Sequence, residues 1–329
     1  MRSLIWARRL RSGVGGALLR VMASSDDDSI PEQRGRVAVV TGANSGLGLE
    51  TTRALAKHGA RVILASRSVD KANAAVATIQ GEVPDAELEV IVLDLADLAS
   101  VERFATELAA RHPSLDLLIN NAGVMALPRR ETADGFEMQI GTNHLGHFAL
   151  TARLWPLLRE APAARVVTVS SLMHYPGRID FEDLQGARRY EKWSAYCQSK
   201  LANLLFAFEL SRRLLRVEAR AISVAAHPGY SATELQVGGA TMTGRRWAVP
   251  LWHGVNRAFA QSAASGALPQ LHAATAADVR PGDFFGPGAL QIWGKPKRVE
   301  ASQAARDEAT ARRLWEISES LTGVAFDGL

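Results

Sequence analysis

From Arg36 onward, short apolar runs alternate with amphipathic stretches, and this alternation restricts the possible folds more than any other feature of the chain. Val37–Thr41, Val62–Ala65, Leu88–Leu93, Leu115–Ile119, Val166–Val169 and Ala221–Ala225 are mostly apolar and rich in β-branched residues. Runs of this kind suit strands covered on both faces. Ser45–His58, Asp70–Ile79, Leu98–Arg111, Phe136–Leu158, Ala195–Leu215 and Ala305–Leu321 read as helices between or after them. Parallel strands need crossover connections, so the order predicts an α/β fold with a doubly wound parallel sheet. Residues 34–325 are expected to form one such domain. No internal repeat and no long low-complexity linker interrupts it.

Composition narrows the class. With 47% hydrophobic and 22% charged residues, a chain of 329 residues can bury a sizeable core. Cys197 is the single cysteine, which excludes an internal disulfide framework and cysteine-rich zinc sites. His144 and His147 are three apart on a helix without a third ligand, so no metal is expected. The net charge of +4 is misleading: Arg2, Arg8, Arg9, Arg11 and Arg20 lie in an acid-free leader, and without them the rest is slightly acidic. Nucleic-acid binding by the fold is therefore not expected.

Residues 1–33 read as a basic, then polar, disordered tail. No apolar run there approaches the roughly 18 residues of a membrane span. Translation from Met22 is one reading of the tail, while an organellar address or a peripheral membrane anchor is another. Apart from such an address, a cytoplasmic location is expected.

Thr41-Gly42-Ala43-Asn44-Ser45-Gly46-Leu47-Gly48 joins the first strand to the first helix. Its glycines permit a tight turn and close backbone approach to a pyrophosphate, and the helix N-terminus offers N–H groups to the anion. With the buried strand before it, the turn makes the sheet a Rossmann-type one, although an ordinary Gly-rich turn would look alike. Ala65-Ser66-Arg67 ends the second strand with no acid to hold ribose hydroxyls. Arg67 can instead contact a 2′-phosphate, which favours NADP(H) over NAD(H), unless it is a solvated surface arginine. Asp94 and Leu95 close the third strand, where a carboxylate suits an adenine amino group or caps the helix near Leu98. Asn120, Asn121, Ala122 and Gly123 close the fourth and leave room for adenosine.

Tyr196 and Lys200 stand at i, i+4 on one helix face, a pairing common on surfaces. A free tyrosine ionises near pH 10, and lowering that by about three units takes about 4 kcal/mol. A neighbouring ammonium and an oxidised nicotinamide ring both act in that direction. Ser170-Ser171 ends the fifth strand and can bring a hydroxyl to Tyr196, and Asn143 can brace Lys200.

TGANSGLG, NNAG, Asn143, VSS, YCQSK and HPG, in this order, resemble the short-chain dehydrogenase/reductase superfamily over Arg34 to about Leu321. The resemblance implies a catalytic tetrad of Asn143, Ser171, Tyr196 and Lys200, with the second serine of the pair preferred. Tyr196 would exchange the alcohol proton, and Lys200 would bind the nicotinamide ribose. Gly42, Asn44, Ser45, Gly46, Leu47, Gly48, Arg67, Asp94, Leu95, Asn121, Ala122 and Gly123 would hold the rest of NADP(H). Pro228, Gly229 and Thr233 would lie along the nicotinamide. TGANSGLG, SLMHYPGRIDFEDLQ, AYCQSKLANLLF and the 25-residue step from Ser171 to Tyr196 resemble the retinol-dehydrogenase-like branch, which also holds relatives of light-dependent protochlorophyllide reductase. The chain departs from membrane-anchored retinol enzymes in lacking a convincing N-terminal span.

His174, Tyr175 and Tyr230–His253, with Met242, Trp247 and Trp252, are expected to line or cover the substrate side. A lid over about 230–262 suits a small apolar aldehyde, ketone or alcohol, and serves equally as a packed cover or a homo-oligomer contact. Reduction of a conjugated C=C bond and non-catalytic NADP(H)-binding regulation are the alternatives. Both Tyr196 and Lys200 are present, which speaks against the second.

Overall fold

The computed structural model describes residues 30–230 and 261–329. Residues 1–29 of the tail, Thr233 and all of the expected lid but its ends lie outside the described residues. The last four tail residues are not free: Ile30 and Gln33 are buried, and Gln33 N donates to the His58 carbonyl at 2.7 Å. The sheet has eight strands: β1 (Val37–Thr41), β2 (Arg61–Ser66), β3 (Leu88–Val92), β4 (Leu117–Asn120), β5 (Arg165–Val169), β6 (Ile222–Ala226), β7 (Phe284–Ala289) and β8 (Trp293–Arg298). Their order is β3-β2-β1-β4-β5-β6-β7-β8, parallel except for the β7–β8 pair. The order reverses between β1 and β4, where a doubly wound sheet opens a crevice at the strands' carboxyl ends.

Helices cover both faces because the strands present apolar side chains both ways. Val39, Ile63, Leu118 and Val166 face one cluster, with α3 (Leu98–Arg111) and α4 (Gly146–Glu160) above them. Val40, Leu64, Ile119 and Val167 face the other, with α1 (Gly46–Lys57) and α2 (Val69–Glu82). Phe104 and Phe148 are fully buried in the first cluster, each contributing roughly 1.5–3 kcal/mol of transfer free energy. The long α5 (Lys192–Arg216) is buried over most of its girth, and α7 (Glu308–Thr322) packs Leu314 and Trp315 against it.

Three elements depart from the sequence pattern. The helix expected over Phe136–Leu158 runs from Met138 to Glu160 but changes its winding: Gly141–Leu145 is a π-helical turn between the α-helical Met138–Ile140 and α4. His144 in that π turn lies 2.8 Å from the Ser318 hydroxyl of α7. The helix α6 (Ala263–Thr275) was hidden by Gly266 and Pro269, which interrupt helical periodicity. β7 and β8 were hidden by glycines and prolines. Pro287 and Pro296 sit opposite each other in this edge pair, where a missing donor is tolerated.

Candidate active site

The β1–α1 turn is shaped by backbone approach. Gly42 has φ +66°, and a Cβ on Gly48 would lie 2.2 Å from the Gly42 carbonyl oxygen. Ser45, the N-cap of α1, makes no side-chain cap bond, and no acid occupies the first turn. The first N–H groups of α1 are thus left for an anion. Ser66 at the end of β2 donates to Asn44 Oδ1 at 2.8 Å, which ties this turn to the second strand.

A cavity of about 340 Å³ opens over this turn. It is lined by the Gly42–Gly48 turn except Ala43, and by Arg67, Asp94, Leu95 and Asn121–Gly123. The structure therefore brings together all the expected residues of this half. Asp94 does not cap α3: Asp97 does, accepting from Ala99 N at 2.9 Å, while Asp94 accepts from Ala96 N at 3.0 Å. Sequence reading missed Lys71 beside Arg67, and Met125, Leu127 and Thr142 at the other end. The signal for Lys71 was available, since it lies four residues beyond Arg67 in the first turn of α2, beside Asp70. Neither cation has an ion-pair partner among the described residues.

The second half is buried. Tyr196 and Lys200 project from α5 with 5% and 4% exposure, and Asn143 has none. Ser171, half-buried at the end of β5, hydrogen-bonds Tyr196, and its hydroxyl also accepts from Met173 N at 3.2 Å. Ser170 is buried and donates to the Lys200 carbonyl at 2.7 Å, so it fastens β5 to α5 and is closed to a ligand. Lys200 Nζ donates to the Val169 carbonyl at 3.2 Å and lies 5.9 Å from the Tyr196 ring centre. The halves meet at Gly123, where an added Cβ would be 3.1 Å from Asn143 Oδ1 and 3.5 Å from Lys200 Nζ.

Several expectations are corrected. Burial dominates at Tyr196 and pushes its pKa up to about 12, against the lowering bond from Ser171. Burial also lowers Lys200 to about 8. Asn143 does not hydrogen-bond Lys200. Its side chain binds both the N–H and the carbonyl of Val124, at 2.7 and 2.9 Å, and donates to Ser199 Oγ at 2.9 Å. His174 does not line a substrate space, because it is fully buried. Its Nδ1 donates to the Ser171 carbonyl at 2.6 Å, and its Nε2 accepts from Ser302 N at 3.2 Å. Tyr175 is half-exposed, with its hydroxyl donating to the Glu300 carbonyl at 2.8 Å.

Pro228 and Gly229 do not line this cavity, and neither do Ser171, Tyr196 and Lys200. A Cβ on Gly229 would meet the Ile292 carbonyl at 2.4 Å, so this loop packs on the β7–β8 hairpin. Gln261 N donates to the Tyr230 carbonyl at 3.1 Å, and Gln261 Nε2 to the Pro228 carbonyl at 2.7 Å. Tyr230 and Gln261 thus lie together beside Pro228. Among the described residues, no helix is long and apolar enough to cross a membrane.

Comparison with known proteins places this geometry in a family. Residues 36–241 match the model of the short chain dehydrogenases. Mouse retinol dehydrogenase 12 is 42% identical over 295 residues, covering 89% of this chain and 88% of its own. The crystal structure of an uncharacterized protein from Mycobacterium paratuberculosis is 45% identical, with a TM-score of 0.76 over 91% of this chain and 98% of that one. A short chain dehydrogenase from Escherichia coli CFT073, complexed with NADPH, is 25% identical, with a TM-score of 0.51 over 64% of this chain and 82% of that one. With the eight-stranded α/β fold and the ordered motifs, these matches show that the chain belongs to the short-chain dehydrogenase/reductase family, in its retinol-dehydrogenase-like branch.

Proposed function

We propose that this oxidoreductase uses NADP(H) to interconvert a carbonyl and an alcohol on a small apolar substrate, with Tyr196 as general acid and base. The observation that carries the reading is the contact of Tyr196 with Ser171, with Lys200 beside them and, across Gly123, a cavity that presents Arg67 and Lys71. The cavity fits a dinucleotide: close backbone approach at Gly42 and Gly48, uncapped N–H groups at α1, and two cations with no ion-pair partner among the described residues where a 2′-phosphate would sit. The relative complexed with NADPH supports the same cofactor. Bound there, NADPH supplies the hydride, and NADP+ accepts it.

The residues supply the proton and its field. In reduction, the Tyr196 phenol O–H donates to the carbonyl oxygen as negative charge develops there, while the Ser171 hydroxyl hydrogen-bonds the same oxygen. The Lys200 ammonium stabilises the phenolate that remains. Asn143 aims the loop after β4 and, through Ser199, the helix that carries both groups. Thr233, Pro228 and Gly229 are assigned to the nicotinamide side, and the segment after Tyr230 to the substrate.

The test is turnover of apolar aldehydes and ketones, retinaldehyde among them, with NADPH and with NADH, followed by product identification. Carbonyl reduction with NADPH preferred is expected. Reduction of a conjugated C=C bond in its place, or equal use of both cofactors, would overturn the corresponding part.

A further inference from the structure

His147 is 1% exposed and has no part in the scheme above. Both ring nitrogens are engaged: Nδ1 lies 3.0 Å from the Asn143 carbonyl oxygen, and Nε2 lies 3.0 Å from Thr41 Oγ1. A carbonyl can only accept, so Nδ1 carries a hydrogen. Burial, opposed by the bond to Asn143 and aided by the Lys200 charge, lowers the His147 pKa to about 4. The ring is therefore neutral at pH 7, Nε2 holds a lone pair, and the Thr41 hydroxyl donates to it. The same hydroxyl oxygen accepts from Asn121 N and Ala122 N, both at 2.9 Å. Its other acceptor, the Ile119 carbonyl, is farther away at 3.3 Å.

We propose that His147 is a positioning residue, held as the Nδ1–H tautomer, that joins the coenzyme cradle to the π turn presenting Asn143. This rests on the reading of the cleft as a nicotinamide site with Asn143 in its catalytic machinery. Thr41 ends β1 and anchors the backbone of Asn121 and Ala122, which line the cavity. Asn143 reaches the loop after β4 and Ser199 of α5. One imidazole thus touches the mounts of both halves of the cleft. Thr151 Oγ1 donates to the His147 carbonyl at 2.7 Å and fixes the backbone beneath the ring. A charged ring would present Nε2–H to a Thr41 oxygen that already receives two N–H donors, so the hydrogen-bond count also selects the neutral form.

The two contacts can be severed one at a time. His147→Asn keeps a donor near the position of Nδ1 and loses the reach to Thr41. His147→Gln keeps an acceptor near the position of Nε2 and loses the donor to Asn143. A single neutral hydrogen bond is worth about a 2- to 10-fold change in an equilibrium or rate constant. His147→Asn should raise the NADPH dissociation constant, read by fluorescence titration, about that much and more than it lowers kcat. His147→Gln should do the reverse. Equal shifts of both quantities in both variants, or a loss of thermal stability alone, overturn the proposal. Long-range nitrogen–proton NMR on the wild-type chain gives a readout that needs neither coenzyme nor turnover. An Nδ1–H ring at pH 7 is expected, and an Nε2–H or doubly protonated ring overturns the proposal even if both variants fail to fold. Failure of the functional reading would show differently, as a wild-type chain that does not bind NADPH or a Tyr196→Phe variant that keeps its rate.

Discussion

The two ends of the cleft are built on different physical plans. At the phosphate end, consecutive residues Gly42–Gly48 supply backbone N–H groups and space, and Arg67 and Lys71 supply exposed charge. At the buried end, Ser171, Tyr196, Lys200 and Asn143 come from β5, α5 and the π turn, and most of their polar atoms are satisfied by protein. The open end tolerates solvent and binds through local geometry. The closed end depends on tertiary packing, because an unpaired polar group there costs about 1–3 kcal/mol. Charge is likewise treated differently: burial moves Tyr196 and Lys200 in opposite directions, both against ionisation.

That contrast breaks first at Tyr196. Tyr196→Phe removes the proton donor alone, and positioned acid–base catalysis contributes roughly 10²–10⁴-fold. Steady-state assays should show kcat falling within that range while the NADPH dissociation constant moves little. A variant retaining near wild-type turnover would mean that the buried end does not carry the proton.

Next in size is Arg67→Asp at the open end. An acid there repels a 2′-phosphate and can hold ribose hydroxyls, so the preference for NADPH over NADH should shrink by about tenfold or more, or reverse. Combining it with Lys71→Ala should deepen the loss. Equal affinity of the wild-type chain for the two cofactors, measured by calorimetry, would remove the role assigned to both cations.

A pH profile sharpens the comparison further. Lys200 is lowered to about 8, so its ammonium is present below that pH and lost above it, while Tyr196 remains a phenol. The reduction rate should therefore fall on the alkaline side, to about a tenth near pH 9. Lys200→Arg keeps its charge and should move that limb upward, even with a lower maximum. A limb that stays in place in the arginine variant would assign the titration to another group.

The smallest effect is expected at the tail. Every described residue assigned to the cleft lies at or after Thr41. A chain starting at Met22 should match the full chain in kcat/KM and in thermal stability, with any change confined to fractionation between soluble and membrane pools. Loss of stability on shortening would mean that the tail packs on the domain.

What sequence could determine follows from how far each signal reaches. The first six strands, the boundaries of α3 and the phosphate end except Lys71 were legible, because each depends on periodicity or on residues close along the chain. The edge hairpin and α6 were not, because Pro and Gly carry a breaker signal that edge pairing and burial overrule. Ser170 and Ser171 are indistinguishable by residue type, and only the resemblance to the family preferred the second. Packing supplies the physical reason: one fastens α5 and the other reaches Tyr196. The i, i+4 spacing put Tyr196 and Lys200 on one face, but the depth of that face, and hence the direction of both pKa shifts, belongs to the tertiary structure. Desolvation depends on everything packed around a group, and no window of sequence contains it.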